Sequence, residues 1–284
     1  MAGQYAFTKG HATENDFVVL PDPDGTVHGP LDDARVRALC DRHAGIGGDG
    51  VLRVIRTASY DPSWPGAPEA ESSAEWFMDY RNADGSIAEM CGNGTRAFAA
   101  YLRSSGLDTA DEITIATRAG DKILTFDGEL WTVDLGEPRL LGWSQVTVAD
   151  RTWTARHVDM GNPHAVALLD PATGQRVADL DLTRQPAFDP ATYPSGVNVE
   201  LVERAGAAHL TMRVHERGVG ETRSCGTGIG ATAVAVMEAD GRVADGSTYV
   251  VDVPGGRLTV TWAESGHALL RGPAALVASG TTHL

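Results

Sequence analysis

The sequence predicts an α+β protein of two pseudo-symmetric domains, each a barrel-like sheet of mixed or antiparallel strands wrapped around one central helix. Three observations lead there. Short runs rich in Val, Ile, Leu and Thr, broken by Gly, Asp and Pro, recur along the whole chain, which is the pattern of many brief strands. The two clearest helical segments are small or apolar nearly all the way round, as a helix enclosed by sheet has to be. Both begin just after one short phrase written twice: Cys91 opens Cys-Gly-Asn-Gly, and 134 positions later Cys225 opens Cys-Gly-Thr-Gly. The match extends over Met78 to Ala97 against Met212 to Ala231, so the chain reads as two copies of one unit, each with one thiol.

In the first half, strands are expected at Phe17 to Leu20, Val51 to Ile55, Ile113 to Ala116, Ile123 to Phe126 and Leu130 to Leu135. Asp32 to His43 has helical periodicity, and the central helix runs from Asn93 to Ser105 with Ala97, Phe98, Ala99, Ala100 and Leu102. Tyr60 to Ser73, rich in Pro, Ser, Ala and Glu, is expected as an exposed loop insertion, and Asp134 to Ser144 as a hinge or linker. The second half repeats the manner at Ala165 to Leu169, Asn198 to Val202, Ala208 to Val214, Tyr249 to Val253, Leu258 to Trp262 and Ala268 to Arg271. Its central helix spans Thr227 to Ala239. The domains are expected at residues 1–133, completed by a C-terminal strand over 272–284, and at 134–271.

Composition narrows the function. A length of 284 residues and 42% hydrophobic content suffice for two ordinary cores. The net charge is −15, with the 38 acidic residues spread along the chain, which argues against a nucleic-acid or anionic-membrane surface. No basic, then apolar leader opens the chain, and no window nears the ~20 apolar residues of a membrane span. A soluble, cytoplasmic protein is expected. Three cysteines, an odd number, do not make a disulfide framework and have to be explained singly. Cys40, inside the helical stretch ALCDRHA, reads as a small core hydrophobe.

Cys91 and Cys225 read differently. A thiol at a helix N-terminus lies near unsatisfied amides and the positive end of the helix dipole, which lower its pKa. Without side chains in the way, the amides of Gly92-Asn93 and Gly226-Thr227 can approach a carboxylate closely. Two thiols on opposite faces of one bound anion suit removal of a proton from one face of a carbon and delivery to the other, which is stereochemical inversion. Zinc is the alternative for paired cysteines, but no Cys-x-x-Cys or paired-His spacing occurs and no metal is expected.

Several longer phrases carry a resemblance. NADGS before CGNGTR, GNPH at 161–164, and ERGVGETRSCGTG at 216–228, in that order, resemble the diaminopimelate epimerase family. KGHATENDF, GVNVE and VPGGRL also fit, so the likeness runs from about Lys9 to the C-terminus. The resemblance implies a cofactor-independent enzyme interconverting LL- and meso-diaminopimelate with two bases, on the route to lysine and the cell wall, commonly as a homodimer. It implies Cys91 and Cys225 as the catalytic cysteines, Glu216 accepting from the substrate's α-ammonium, and His164 assisting at the reacting centre. Gly92, Asn93, Gly226 and Thr227 would hold the reacting carboxylate. Asn82, Asn162, Asn198 and Arg217 would grip the distal amino-acid group, and Asn15 would make a further contact. Arg217 offers a planar fork for a carboxylate, and Asn can both donate and accept.

Two features depart from the family pattern. Many members have Gln where Gly50 stands, and Thr13 and Glu14 occupy a loop that is often Gly-rich. Competing readings are weaker. GIGGDG at 45–50 has the spacing of a dinucleotide loop, yet it follows a helix and precedes a strand, the reverse of the order that function requires. A pyridoxal-phosphate racemase needs a Schiff-base lysine, and Lys9 and Lys122, the only two, lie in no phosphate-loop context. A proline or hydroxyproline racemase of the same fold is the nearest alternative, although Asn162, Asn198 and Arg217 favour a longer, doubly zwitterionic substrate. A non-catalytic binding protein would be expected to lose one thiol, and this chain keeps both.

Overall fold

The computed structural model describes residues 3–67 and 72–284. The chain divides into two compact units, Met1–Val133 with Pro273–Leu284, and Asp134–Gly272. The first holds β1 (Tyr5–Ala12), β2 (Asn15–Pro21), α1 (Asp33–Cys40), β3 (Gly50–Arg56), β4 (Trp76–Asn82), α2 (Gly92–Ser104), β5 (Glu112–Ala116), β6 (Lys122–Phe126) and β7 (Trp131–Asp134). The second holds β8 (Arg139–Val148), β9 (Arg151–Asp159), β10 (Pro163–Leu168), β11 (Ala187–Phe188), β12 (Asn198–Gly206), β13 (His209–Glu216), β14 (Gly220–Thr222), α3 (Gly226–Ala239), β15 (Thr248–Val253), β16 (Gly256–Trp262) and β17 (Ala268–Gly272). The chain then returns to the first unit as β18 (Ala275–Thr282).

Strand pairing shows the duplication more sharply than the sequence does. In the first unit the order is β18-β1-β2-β3-β4-β5-β6-β7, paired antiparallel, antiparallel, parallel, antiparallel, parallel, antiparallel, antiparallel. The second has β8-β9-β10-β12-β13-β15-β16-β17 with the same succession of senses. β18 therefore occupies in one unit the place that β8 occupies in the other. In each unit the fifth strand of the order, β4 or β13, leads into a cysteine and then the long helix.

Each long helix is enclosed by its own sheet. α2 touches β1, β2, β3, β4, β6 and β18, and α3 touches β9, β10, β12, β13, β15, β16 and β17. That requires an apolar surface on all sides: Ala97, Phe98, Ala99 and Leu102 have no exposed surface, nor do Ile229, Ala231, Ala233, Val234 and Met237. Truncating a ring such as Phe98 to Ala would cost about 3–5 kcal/mol.

The structure corrects three boundaries. Asp134 to Ser144 is not a linker throughout: from Arg139 it belongs to β8, which pairs along its length with β9, leaving only 135–138 without regular structure. Its first seven residues carry no buried side chain, so the stretch lacks the apolar face that marks a strand. α1 stops at Cys40 because the next residue, Asp41, turns to extended backbone and its carboxylate accepts from the His43 and Ala44 amides. Within Tyr60 to Ser73, residues 68–71 lie outside the described residues. Tyr60 itself is buried against Trp64 and Phe77 and donates to the Pro65 carbonyl, so this part folds back on the core.

Candidate active site

In the first unit Cys91 is the N-cap of α2. Its backbone is extended (φ −146°, ψ 118°), which turns the side chain back over the first turn to accept from the Gly94 amide at 3.3 Å. Asn15, the first residue of β2, presents Oδ1 to Cys91 Sγ at 3.6 Å and to Asn93 Nδ2 at 3.2 Å. Asp49 sets that orientation. A carboxylate only accepts, and it takes the Asn15 Nδ2 proton at 2.7 Å, which turns the amide oxygen toward the cysteine. Asn15 follows a two-residue turn, Thr13 and Glu14, with φ of 48° and 61°. Both are left-handed positions, the geometry for which a glycine-rich loop would serve, here held by a β-branched and a charged residue.

Asn82 has its side chain engaged in a turn. Its Nδ2 donates to Ser86 Oγ at 3.0 Å and its amide to the Ser86 carbonyl, closing a turn at the end of β4. Gly50 faces that strand. A Cβ there would lie 2.5 Å from the Arg81 carbonyl oxygen and 2.6 Å from the Tyr80 ring, so in this chain the place of the family's Gln is closed by β4.

The second unit surrounds its cysteine with acids. Cys225 is the N-cap of α3 and is buried, with Sγ 3.6 Å from Thr227 Oγ1. Burial pushes its thiol well above the ordinary range, and the carboxyls of Glu216 and Glu200 push it further. This reverses the lowering expected from the helix end. A helix terminus contributes about 0.3–2 kcal/mol, whereas desolvation of a fully buried group is worth up to ~3–5 pH units, each about 1.4 kcal/mol. At Cys225 burial wins and the thiol form is favoured.

Glu216 ends β13, and Thr222 Oγ1 donates to it at 2.5 Å. Burial raises its carboxyl above the usual range, with hydrogen bonds from Thr222 and the Cys225 thiol pulling the other way. Glu200 on β12 has no exposed surface; its Oε1 lies 2.7 Å from His164 Nδ1. Burial raises this carboxyl as well, opposed by His164. It also explains the second glycine of the Cys-Gly-Thr-Gly phrase: a Cβ at Gly228 would stand 2.7 Å from Glu200 Oε1.

His164 lies one layer behind the surface, without exposure, its Nε2 3.0 Å from Asn162 Oδ1. Asn162 in turn reaches Thr227 Oγ1 at 3.5 Å. Asn198 donates to the Pro163 carbonyl at 3.1 Å and accepts from the Arg217 amide at 2.9 Å, so it ties the two loops that carry Asn162 and Arg217. The Arg217 side chain is exposed and touches the Ser195 carbonyl at 3.3 Å. The structure thus brings together Cys225, Thr227, Asn162, His164 and Glu216, as it does Cys91, Asn15 and Asn93. Glu200 is the member that sequence reasoning passed over. Its signal was a single acid inside the otherwise apolar run Val199 to Val202, where only a paired carboxyl can be tolerated.

Comparison with known proteins agrees with this layout. Among solved structures, a phenazine biosynthesis protein of the PhzF family from Bacillus anthracis superposes with a TM-score of 0.72 at 16% identity, covering 99% of each chain. A hydroxyproline epimerase from Agrobacterium vitis gives 0.67 at 13% identity, over 98% of this chain and 92% of that one. At such identities the likeness defines the fold alone: the α+β class that PhzF proteins share with amino-acid epimerases. Sequence resolves the class further. A family model described as diaminopimelate epimerase matches residues 7–141 and 156–277. A diaminopimelate epimerase of Rhodococcus opacus is 51% identical over 281 residues, covering 96% of both chains. One of Streptomyces coelicolor is 50% identical, over 99% of this chain and 96% of its own. The chain belongs to the diaminopimelate epimerase family.

Proposed function

We propose that the chain interconverts LL- and meso-2,6-diaminopimelate by a two-base mechanism that needs no cofactor. The observation that carries this reading is the pair of cysteine-capped helices whose surroundings have opposite character. An inversion needs a thiolate to take the α-proton and a thiol to return one. Cys225, buried beside Glu216 and Glu200, is suited to start as the thiol. Cys91, partly exposed and receiving the Gly94 amide, is suited to start as the base. In the reverse direction Glu216, already hydrogen-bonded to Cys225, is placed to receive its proton.

The first-turn amides at Gly92-Asn93 and Gly226-Thr227 belong to helix ends whose N–H groups have no intrahelical partner, which suits the charge that grows on the reacting carboxylate. Glu216 also accepts from the α-ammonium. His164 acts through Asn162 and Glu200 and keeps both in place. For the distal amino-acid group, Arg217 supplies the fork for a carboxylate, and Asn82, Asn162 and Asn198 the mixed donors and acceptors, with Asn15 close to Cys91. The family resemblance supports a homodimer working in the cytoplasm. Among the described residues no helix is long and apolar enough to cross a membrane.

The test is incubation of reduced protein with LL-diaminopimelate and no additive, followed by chromatographic separation of the LL and meso forms. Meso product is expected. Racemisation of proline or hydroxyproline, with diaminopimelate untouched, would move the assignment to the other amino-acid epimerases of this fold.

A further inference from the structure

Arg96 lies on α2 five positions after Cys91 and has no exposed surface. Long side chains on a helix run back toward its N-terminus, and this one does. Its Nη2 donates to Asn93 Oδ1 at 2.8 Å and to Thr13 Oγ1 at 3.3 Å, and its Nη1 reaches the Gly92 carbonyl at 3.4 Å. All three acceptors are neutral, and Nε has no partner among the described residues. A fully buried guanidinium that meets no carboxylate is costly and calls for an anion nearby.

The carboxylates behind Asn15 are already paired. Asp49, behind Asn15, pairs with Arg42 at 2.7 Å; Asp16 pairs with Arg42 at 2.8 Å and with Lys9 at 2.5 Å. Two acids and two bases bonded to one another cancel. Glu89, two residues before the cysteine, is exposed to solvent and screened. The charge that bears on Arg96 is that of the sulfur itself, which accepts from the Gly94 amide and lies 3.6 Å from Asn15 Oδ1. The other copy of the motif has diverged: the position five after Cys225 is Gly230, and the charged groups around that thiol are carboxyls.

We propose that Arg96 is a positioning residue whose uncompensated charge, delivered through the first turn of α2, favours the Cys91 thiolate, while its bonds to Thr13 and Asn93 fix the turn that leads into Asn15. The thiol proton leaves to solvent, since Cys91 is partly exposed. Burial pushes the Arg96 guanidinium down to about 10, with Cys91 acting in the opposite sense, so it keeps its charge at neutral pH. The proposal rests on the two-thiol reading above, but its test does not need turnover.

The test is the pH profile of iodoacetamide alkylation at Cys91 in substrate-free protein, followed by peptide mass spectrometry with the Cys225 peptide as internal reference. In Arg96→Met the Cys91 midpoint should rise by about one pH unit or more, a roughly tenfold slower alkylation at pH 7, with Cys225 unmoved. Arg96→Lys should restore part of the shift. Should Arg96→Met fail to fold, Asn93→Asp sets a carboxylate against the guanidinium and should raise the Cys91 midpoint in the same sense. An unchanged Cys91 profile in a folded Arg96→Met protein, or in Asn93→Asp, would overturn the proposal even if epimerisation were lost. A profile that responds to Arg96 in a protein that does not epimerise would instead leave this inference standing and remove the functional reading.

Discussion

His164 Nδ1 lies 2.7 Å from Glu200 Oε1, and neither side chain has any exposed surface. The pair lies beneath the Cys225 loop, with Asn162 on the far side of the imidazole and the Gly228 backbone over the carboxyl. Buried groups of this kind tolerate replacement of one partner poorly. His164→Ala should therefore lose about 3–5 kcal/mol of unfolding free energy in urea. Glu200→Gln, whose amide oxygen still accepts from the ring, should lose less. Equal losses in the two variants would mean that the pairing is not what holds this layer.

The same substitution reports on the thiol. Glu200 is one of two carboxyls that raise Cys225, so Glu200→Gln should move the alkylation midpoint of Cys225 downward and leave Cys91 where it was. An upward or absent movement in folded protein would show that Glu200 does not raise the Cys225 thiol.

Glu216 predicts a pH dependence of stability. Its folded carboxyl titrates above the ordinary value, so the folded state holds the proton more tightly. Its stabilising contribution is complete below the ordinary carboxylate pKa of about 4.3 and is lost as pH rises through the folded value. The stability difference between the parent chain and Glu216→Gln should therefore shift in favour of the variant as pH rises above about 4. Urea midpoints at a series of pH values measure it, and a difference that is flat or moves the other way contradicts the burial argument.

A prediction remote from the site concerns Ala149, which has φ of 54° in the two-residue turn between β8 and β9. An L-residue there is strained by roughly 1–2 kcal/mol, part of which glycine would return to the unfolded chain as entropy. Ala149→Gly should gain roughly 0.5–1 kcal/mol in thermal or urea unfolding without altering either cysteine's reactivity.

Much of this was legible in the residues, for definable reasons. The two Cys-Gly-x-Gly phrases stood out because a helix N-terminus with glycines is a local device, written within a few positions. Strands such as β3 and β10 showed because their apolar residues form compact runs. Among the strands that escaped, β1, β8 and β9 mix Gly, Ser, Thr and charged residues with their apolar ones, and β18, expected only as a C-terminal strand, exposes five consecutive residues. β8 and β9 pair with each other across a two-residue turn, but β1 and β18 owe their strand character to a distant partner, Tyr5 with Thr282 for example, which no local window contains. Glu200 was hidden for a similar reason. Its partner His164 lies 36 positions earlier and meets it only because β10 and β12 pair in parallel.

The central claim, that two thiols divide one inversion, is tested most directly by proton NMR of LL-diaminopimelate in D₂O with the parent chain, Cys91→Ala and Cys225→Ala, each shown to be folded and reduced. The parent should yield meso product carrying solvent deuterium at the inverted carbon, and both single variants should yield none. A variant that still forms meso product at close to the parent rate would contradict the assignment of one cysteine to each half of the reaction.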